Sequence, residues 1–478
     1  MSVVLPPPPA RIHFVGIGGI GMSGLARILQ ARGHVISGSD AAASPLTSEL
    51  AGAGMAVTIG HGAIADAARA GLVVATAAVD AGNPELAAAR QAGVPVVKRA
   101  ALLGLLANAR FGVAIAGSHG KSSTCGMLVT ALRALGADPS YAIGAVLAAT
   151  GTNAAPGTGP HMVVEADEYD YSFLHLTPDL AIITNIEFDH PDLFPDQDAY
   201  DAAFARFVAG INRAGTLVIA ADDPGCRRLR ARPDFAPPAR LLTVGDDPGD
   251  ADWRLTRGDD GWRVAGPNGV LAPLSLHTPG VHMARNATAA VVALVGLGYA
   301  PDRAAVAVSG YTGIGRRFEL KGEAGGITVI DDYAHHPSEI RANLAAARER
   351  YPRCRLWAVF QPHTYSRLRA LLPEFGAAFA TADRVMVLDV YAAREADDLG
   401  IGAADLLALL PPGALGAPEP AAAAAKLASE VRPGDVVLTL GAGTITEAGP
   451  YLLELLRAAL PAPNREQGPP PPLPRERE

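Results

Sequence analysis

The chain has 478 residues, 49% of them hydrophobic, with a formal net charge of −8 and a pI near 5.9. That is long enough for about three domains, because single cores stop growing near ~250 residues, and acidic enough to exclude a nucleic-acid coat or a polybasic membrane patch. Three scattered cysteines, Cys125, Cys226 and Cys354, imply neither a disulfide framework nor a CxxC metal site. No apolar run reaches the ~18 residues of a membrane span, and residues 1–10 lack the apolar core of a signal peptide. The expectation is a cytoplasmic protein, monomeric or homodimeric, with no nucleic-acid or membrane partner.

The first segment, 1–107, reads as a strand over 11–15, a glycine turn over 16–21, a helix over 22–32 and a strand over 35–38, with further strands at 72–75 and 94–97. Strands alternating with helices predict a parallel sheet. Gly16-x-Gly18-x-x-Gly21 follows a strand and opens a helix, and Asp40 stands nineteen residues beyond Gly21. On spacing this is a dinucleotide fingerprint, with Asp40 placed for a ribose 2′-OH. Any diphosphate, a UDP-sugar included, meets the same helix N-terminus. The motif therefore says diphosphate and leaves a nicotinamide-dependent dehydrogenase open.

The second segment, 108–314, opens with a buried-type strand at 111–116 that runs into Gly117-Ser118-His119-Gly120-Lys121-Ser122 and a helix over 122–135. Glycines admit phosphate to the backbone, lysine offsets β/γ-phosphate charge, and the next hydroxyl can ligate Mg²⁺. Ile115 stands where a longer phosphate loop has its first glycine, so this is a shortened GxxGKS form. Of 40 Lys and Arg residues only four are lysine (Lys98, Lys121, Lys321 and Lys426), which makes a lysine inside a glycine loop more telling. Strands are predicted at 162–165, 180–185 and 216–220, an antiparallel excursion over 240–276, and a helix over 280–298. Glu165-Ala166-Asp167-Glu168 and the run Thr184 to His190 fall at strand C-termini, where ligands of open α/β sheets collect. Carboxylates there suit Mg²⁺, although any one of them reads equally well as a helix cap.

The third segment, 315–460, repeats the α/β pattern with strands at 328–330, 356–360, 385–389 and 436–440. Arg316-Arg317, Asp332-Tyr333, His335-His336 and His363 to Arg367 crowd polar groups beside those strands. Arginine pairs suit phosphate or carboxylate. The proline-rich tail 461–478 is expected to be disordered.

Taken together, VGIGGIGMSG at 15–24 with GSD at 38–40, AGSHGKSS at 116–123, EADE at 165–168, TNIEFDH at 184–190, HMARN at 282–286, GRRFE at 315–319, DDYAHHP at 331–337 and FQPH at 360–363 resemble the Mur ligases of peptidoglycan synthesis. The resemblance covers all but the two ends of the chain. It implies three domains: an N-terminal Rossmann-like UDP-binding domain, a central ATPase with a mostly parallel sheet, and a C-terminal Rossmann-like domain. It also implies ATP and Mg²⁺ as cofactors, with UDP-N-acetylmuramate and L-alanine joined through an acyl phosphate.

Carried onto this sequence, the resemblance gives the UDP substrate to Gly16, Gly18, Gly19, Gly21, Met22, Ser39, Asp40 and His61. It gives ATP to Gly117, Ser118, His119, Gly120, Lys121, Ser122, Ser123, Asn286, Arg317 and Asp332, with Lys121 at the γ-phosphate. Ser122, Glu165 and His190 would hold Mg²⁺, and Tyr333, His335, His363 and Arg367 would line the amino-acid end. The catalytic set would be Lys121, Glu165, His190, His335 and Arg367. Thr364 stands where some relatives carry arginine, which leaves Arg367 as the anion contact there. No lysine lies between Lys121 and Lys321, so the carbamylated lysine of several sister ligases has no counterpart in this segment. Three other readings stay open: a ligase that reattaches recycled peptide, the dehydrogenase, and a non-catalytic nucleotide-binding switch.

Overall fold

The computed structural model describes residues 3–76, 79–80, 82–246, 251–258, 261–396 and 398–460; the tail expected to be disordered lies outside them. The chain forms two compact units, Met1–Glu319 with Ala345–Arg350, and Leu320–Leu344 with Tyr351–Glu478. Three sheets give a three-domain α/β fold, two of the sheets in the first unit and one in the second. Among the described residues no helix is long and apolar enough to cross a membrane.

The first sheet comprises β1 (Arg11–Val15), β2 (Val35–Asp40), β3 (Ala56–Ile59), β4 (Leu72–Ala75) and β5 (Val96–Lys98). All are parallel, in the order β3-β2-β1-β4-β5. β1 and β4 are apolar because helices cover both faces of a parallel sheet. Strand order reverses between them, and a crevice opens at such a switch point beyond the strands' C-termini. The helix Ile20–Ala31 starts there. Residues 99–108, read as the end of this domain, form one helix, Arg99–Asn108.

The central sheet holds β6 (Phe111–Ala116), β7 (Ser140–Leu147), β8 (Thr152–Ala155), β9 (His161–Glu165), β10 (Leu180–Ile183), β11 (Thr216–Ala220), β12 (Arg240–Gly245), β13 (Trp253–Gly258), β14 (Gly261–Ala265) and β15 (Leu271–Leu274). Their order is β15-β14-β13-β12-β11-β10-β6-β9-β7-β8, with β6 flanked in parallel by β9 and β10. The antiparallel excursion is shorter than expected from 240–276. β12 runs parallel to β11 and β13 parallel to β12, and only β13-β14-β15 alternate. The helix Pro224–Arg230 makes β11 to β12 a crossover, which fixes them as parallel. β10 stops at Ile183, leaving Thr184 and Asn185 beyond the strand.

One apolar cluster runs from Ile12, Phe14 and Leu25 through Phe173 and Phe204 to Leu229, so the first two sheets share a core. The helices Lys121–Ala134 and Val281–Gly296 pack on the other side of the central sheet. The second unit carries β16 (Glu319–Ala324), β17 (Ile327–Asp332), β18 (Leu356–Phe360), β19 (Arg384–Leu388), β20 (Leu415–Ala417) and β21 (Val436–Leu440) in the order β16-β17-β21-β18-β19-β20. β17 through β20 are parallel along that order.

Candidate active site

The loop after β6 is held open by its neighbours. Gly117 (φ +130°) and Gly120 (φ +82°) take left-handed backbone that a side chain would strain. A Cβ at Gly117 would also strike Thr184 Oγ1, and one at Gly120 would come within 2.6 Å of Asn286 Oδ1. Asn185 clasps the loop from both sides: its Oδ1 accepts from His119 N at 2.9 Å and its Nδ2 donates to His119 O at 3.0 Å. Ser118 N donates to Asn185 O at 3.1 Å, and Ser118 Oγ donates to Glu187 O at 2.7 Å. His119 Nε2 lies 3.1 Å from Glu187 Oε2. These bonds fix the backbone of the loop.

Lys121 opens the helix behind the loop and folds back over it. Its Nζ donates to Gly117 O at 2.7 Å and to Glu168 Oε2 at 2.7 Å. Burial alone would push this ammonium's pKa down, but the carboxylates of Glu168, Asp167 and Glu165 outweigh it and hold it above its ordinary value. Glu168 is 1% exposed. Burial pushes its carboxyl up while Lys121 pulls it down. Tyr200, buried, reaches Ser118 Oγ at 2.9 Å and donates to Glu168 Oε1 at 3.2 Å, so the loop and the carboxylate share one phenol.

Ser122 Oγ donates to Glu165 Oε2 at 2.8 Å, and Gly144 N donates to the same oxygen at 2.8 Å. A Cβ at Gly144 would sit 2.8 Å from that oxygen, which explains a glycine in mid-strand. Hydroxyl and carboxylate oxygens at a phosphate loop are the donor set Mg²⁺ takes, so these residues fit that ion. His190 adopts φ +58°. Its Nε2 lies 3.9 Å from Glu168 Oε1 and 3.8 Å from Asp189 Oδ2, and its ring meets Tyr169 edge-on at 4.9 Å. Ser123 is buried in the helix behind Ser122.

Beside the loop, a pocket of about 220 Å³ is lined by Asn185, Asp222, Asp223, His282, Arg285 and Asn286 among others. Burial and the adjacent Asp246 push the Asp222 carboxyl up. Its hydrogen bond with Asp222 and the pairing to Arg285 at 2.6 Å hold Asp246 down. Arg317 sits in a turn whose flanking residues Arg316 and Phe318 both have positive φ.

The N-terminal crevice is a cleft of about 740 Å³ walled by Gly16, Gly18, Gly19, Asp40, His61 and Asn83 among others. Gly16 (φ +85°) and Ile17 donate their N–H groups to Ser39 O at 2.8 and 3.0 Å. Gly18 N donates to Asp40 Oδ2 at 2.8 Å. Asp40 therefore braces the turn as well as lining the cleft. Three of the eight residues assigned to the UDP substrate are outside the lining: Met22 is buried in the core, Ser39 is buried below the turn, and Gly21 faces the Arg99 side chain.

In the second unit the amino-acid candidates gather around two histidines. The His335 and His363 rings lie 5.8 Å apart, Tyr333 lies edge-on to His335 at 5.3 Å, and Tyr391 stacks on His363 at 5.7 Å. His335 Nδ1 is 2.9 Å from Tyr333 O and 3.4 Å from Glu339 Oε2. Arg367, almost buried, sets Nη1 3.0 Å from His363 Nδ1 and 3.1 Å from His363 O. Thr364 holds φ +68°, a costly conformation for a β-branched residue. Asp332 is buried at the end of β17 and accepts from Ala334 N at 2.8 Å and Asn343 Nδ2 at 3.1 Å.

Sequence reasoning missed Glu168 and Tyr200 as the brace of Lys121, Asn185 and Thr184 as the clasp of the loop, and Asp222 with Arg285 at the neighbouring pocket. One signal was available: a lone lysine in a glycine loop needs an anionic partner, and Glu168 stood in a motif already singled out.

Comparison with known proteins matches residues 11–111 to the Mur ligase family, catalytic domain, residues 115–294 to the Mur ligase middle domain, and residues 316–443 to the Mur ligase, glutamate ligase domain. The UDP-N-acetylmuramate–L-alanine ligase of Mycobacterium sp. (strain JLS) is 42% identical over 472 residues, covering 95% of this chain and 96% of that one. The ligase of the same description from Acidothermus cellulolyticus is 46% identical, covering 94% and 95%. Among solved structures, the UDP-N-acetylmuramate-alanine ligase of Thermotoga maritima superposes with a TM-score of 0.75 at 28% identity, covering 94% of this chain and all of that one (100%). A murein peptide ligase from Psychrobacter arcticus gives 0.72 at 25% identity, covering 95% and 100%. With all three of its domains matched and such identity over nearly its full length, the chain belongs to the Mur ligase family.

Proposed function

We propose that this protein joins L-alanine to the lactyl carboxylate of UDP-N-acetylmuramate, converting ATP to ADP and phosphate, in peptidoglycan precursor synthesis. The observation that carries the reading is Lys121 folded over its glycine loop and onto Glu168, with Ser122 and Glu165 beside it. The chain's likeness to ligases of that description supports the substrate assignment. We assign residues 1–107 to the UDP substrate, 108–314 to ATP and 315–460 to the C-terminal ligase domain.

In the first step the lactyl carboxylate attacks the γ-phosphorus and ADP leaves, forming an acyl phosphate. The alanine amine then attacks the activated carbonyl, an amine proton is lost and phosphate departs. Lys121 offsets negative charge at the γ-phosphoryl group, and the loop N–H groups fix its position. Glu168 and Tyr200 hold the ammonium at the loop. Ser122, Glu165 and His190 would hold Mg²⁺, whose charge supplies further stabilisation of phosphate oxygens. Asn286, Arg317 and Asp332 are assigned to ATP, and Tyr333, His335, His363 and Arg367 to the amino acid and acyl end.

A second reading, attachment of a recycled peptide, is favoured by the likeness to the murein peptide ligase. Incubation with ATP, UDP-N-acetylmuramate and either L-alanine or an alanine-led tripeptide, with products read by mass spectrometry, decides between them. Product with the tripeptide and none with L-alanine would reject the first reading.

A further inference from the structure

β1 has one buried polar residue, His13, which is fully buried beside Ile12, Phe14 and Val15. Its Nε2 lies 2.9 Å from Glu85 Oε2 and its Nδ1 2.9 Å from Ser37 Oγ. Glu85, also fully buried, accepts from Ser39 Oγ at 2.7 Å through Oε2 and from Ala63 N at 3.2 Å through Oε1. Its own N–H is capped by Asn83 Oδ1 at 2.9 Å. Burial opposes ionisation of this carboxyl, but the bonds from His13 and Ser39 outweigh it and hold Glu85 below its ordinary range.

Burying a carboxylate is costly unless its bonds are all made, and an apolar side chain would fill the same space without that cost. The placement of these bonds shows what the carboxylate does. The sugar-nucleotide cleft is walled by the glycine turn, the end of β2, His61, and the segment through Asn83 and Pro84. Glu85 follows Pro84 directly, bonds Ala63 two residues beyond His61, and bonds Ser39, whose carbonyl fixes the N–H groups of Gly16 and Ile17. One carboxylate thus ties together the loops that form the cleft.

We propose that Glu85, with His13 behind it, is the positioning residue of the sugar-nucleotide cleft, setting the glycine turn and the His61 loop at the spacing a UDP-sugar diphosphate requires. The inference rests on the reading of that cleft as the UDP-N-acetylmuramate site. Amides that bind a diphosphate must be held in place before it arrives, because small displacements weaken every bond at once.

The test is Glu85→Gln in the full chain. The amide keeps the volume but offers one acceptor oxygen, so it cannot serve His13, Ser39 and Ala63 together. KM and calorimetric Kd for UDP-N-acetylmuramate should rise about tenfold, with KM for ATP and kcat within about twofold. Ser37→Ala, which frees only the His13 ring, should act in the same direction and less. Unchanged affinity for UDP-N-acetylmuramate, or equal loss for both nucleotides, overturns the inference; if Glu85→Gln does not fold, Ser37→Ala decides by the same two outcomes. Gly18→Ala separates the two readings, since its Cβ would come within 2.9 Å of Asp40 Oδ2 and 2.8 Å of Thr47 Cγ2. If Gly18→Ala binds UDP-N-acetylmuramate as wild type does, the cleft is misassigned and the inference falls with it. If Gly18→Ala weakens binding and Glu85→Gln does not, only the inference falls.

Discussion

The turns at residues 16–21 and 117–122 both leave a buried parallel strand, both begin on a glycine with positive φ, and both feed a helix N-terminus. They differ in what stands behind the backbone. The first has no lysine. Its amides are set by Ser39 O and Asp40 Oδ2, and the cleft in front is lined by Asp40, Asp80 and His61, with no lysine or arginine among its described residues. The second carries an ammonium folded onto its own carbonyls and onto Glu168, with a hydroxyl–carboxylate pair alongside. Helix N-terminus physics supplies anion binding in both. On the proposed function, the first turn would hold a diphosphate whose charge does not change, and the second would answer charge moving onto the departing ADP.

Four substitutions test that contrast. Lys121→Ala should lower kcat on the order of 10³-fold or more while the calorimetric Kd for UDP-N-acetylmuramate stays at the wild-type value; loss of both would erase the distinction between the turns. Paired alanines come next. Gly120→Ala should raise KM for ATP by about tenfold to a hundredfold, through left-handed strain and the contact with Asn286, and Gly18→Ala should raise KM for UDP-N-acetylmuramate alone. Steady-state kinetics with each substrate varied would show a crossed pattern if the assignment is wrong. Glu168→Gln should then cost about tenfold in kcat/KM for ATP, by releasing Lys121 from a buried partner, and the nucleotide titration reads it directly.

The smallest effect on catalysis belongs to a buried carboxylate of the second unit, Asp435. Asp435 is 4% exposed and accepts from Arg355 Nη2 at 2.7 Å, Trp357 Nε1 at 3.1 Å and Arg432 N at 2.9 Å. Burial opposes its ionisation, but these donors outweigh it and lower its pKa. A carboxyl lowered on folding contributes stability above its unfolded pKa of about 3.9 and loses it as pH falls through the folded value. Asp435→Asn should cost about 2 kcal/mol at pH 7, with the gap from wild type closing as pH drops below about 4. Urea melts at pH 7, 5 and 3.5 would show it, and kinetic constants should not move.

The fold was largely readable because the inner strands of each sheet, such as β1, β4, β6, β10, β18 and β21, are parallel and largely buried. The hairpin of β7 and β8 was not, since Gly144 breaks its apolar pattern for a reason that lies across the sheet, at Glu165. β12 was misread as antiparallel because its polar start hides a buried inner half. The glycine turns, Lys121, Ser122 and Glu165 were visible as local motifs. Tyr200, 82 residues from Ser118, was not, because only folding brings that phenol to the loop. Glu85, 72 residues from His13, was hidden for the same reason.

The most direct test is phosphate release from ATP measured with every combination of UDP-N-acetylmuramate and L-alanine, for wild type and Lys121→Ala. Release that requires both substrates in the wild type and vanishes in the variant is the predicted result. Release by wild type without either substrate, or undiminished release by Lys121→Ala, would contradict a ligase that grips the γ-phosphate at Lys121.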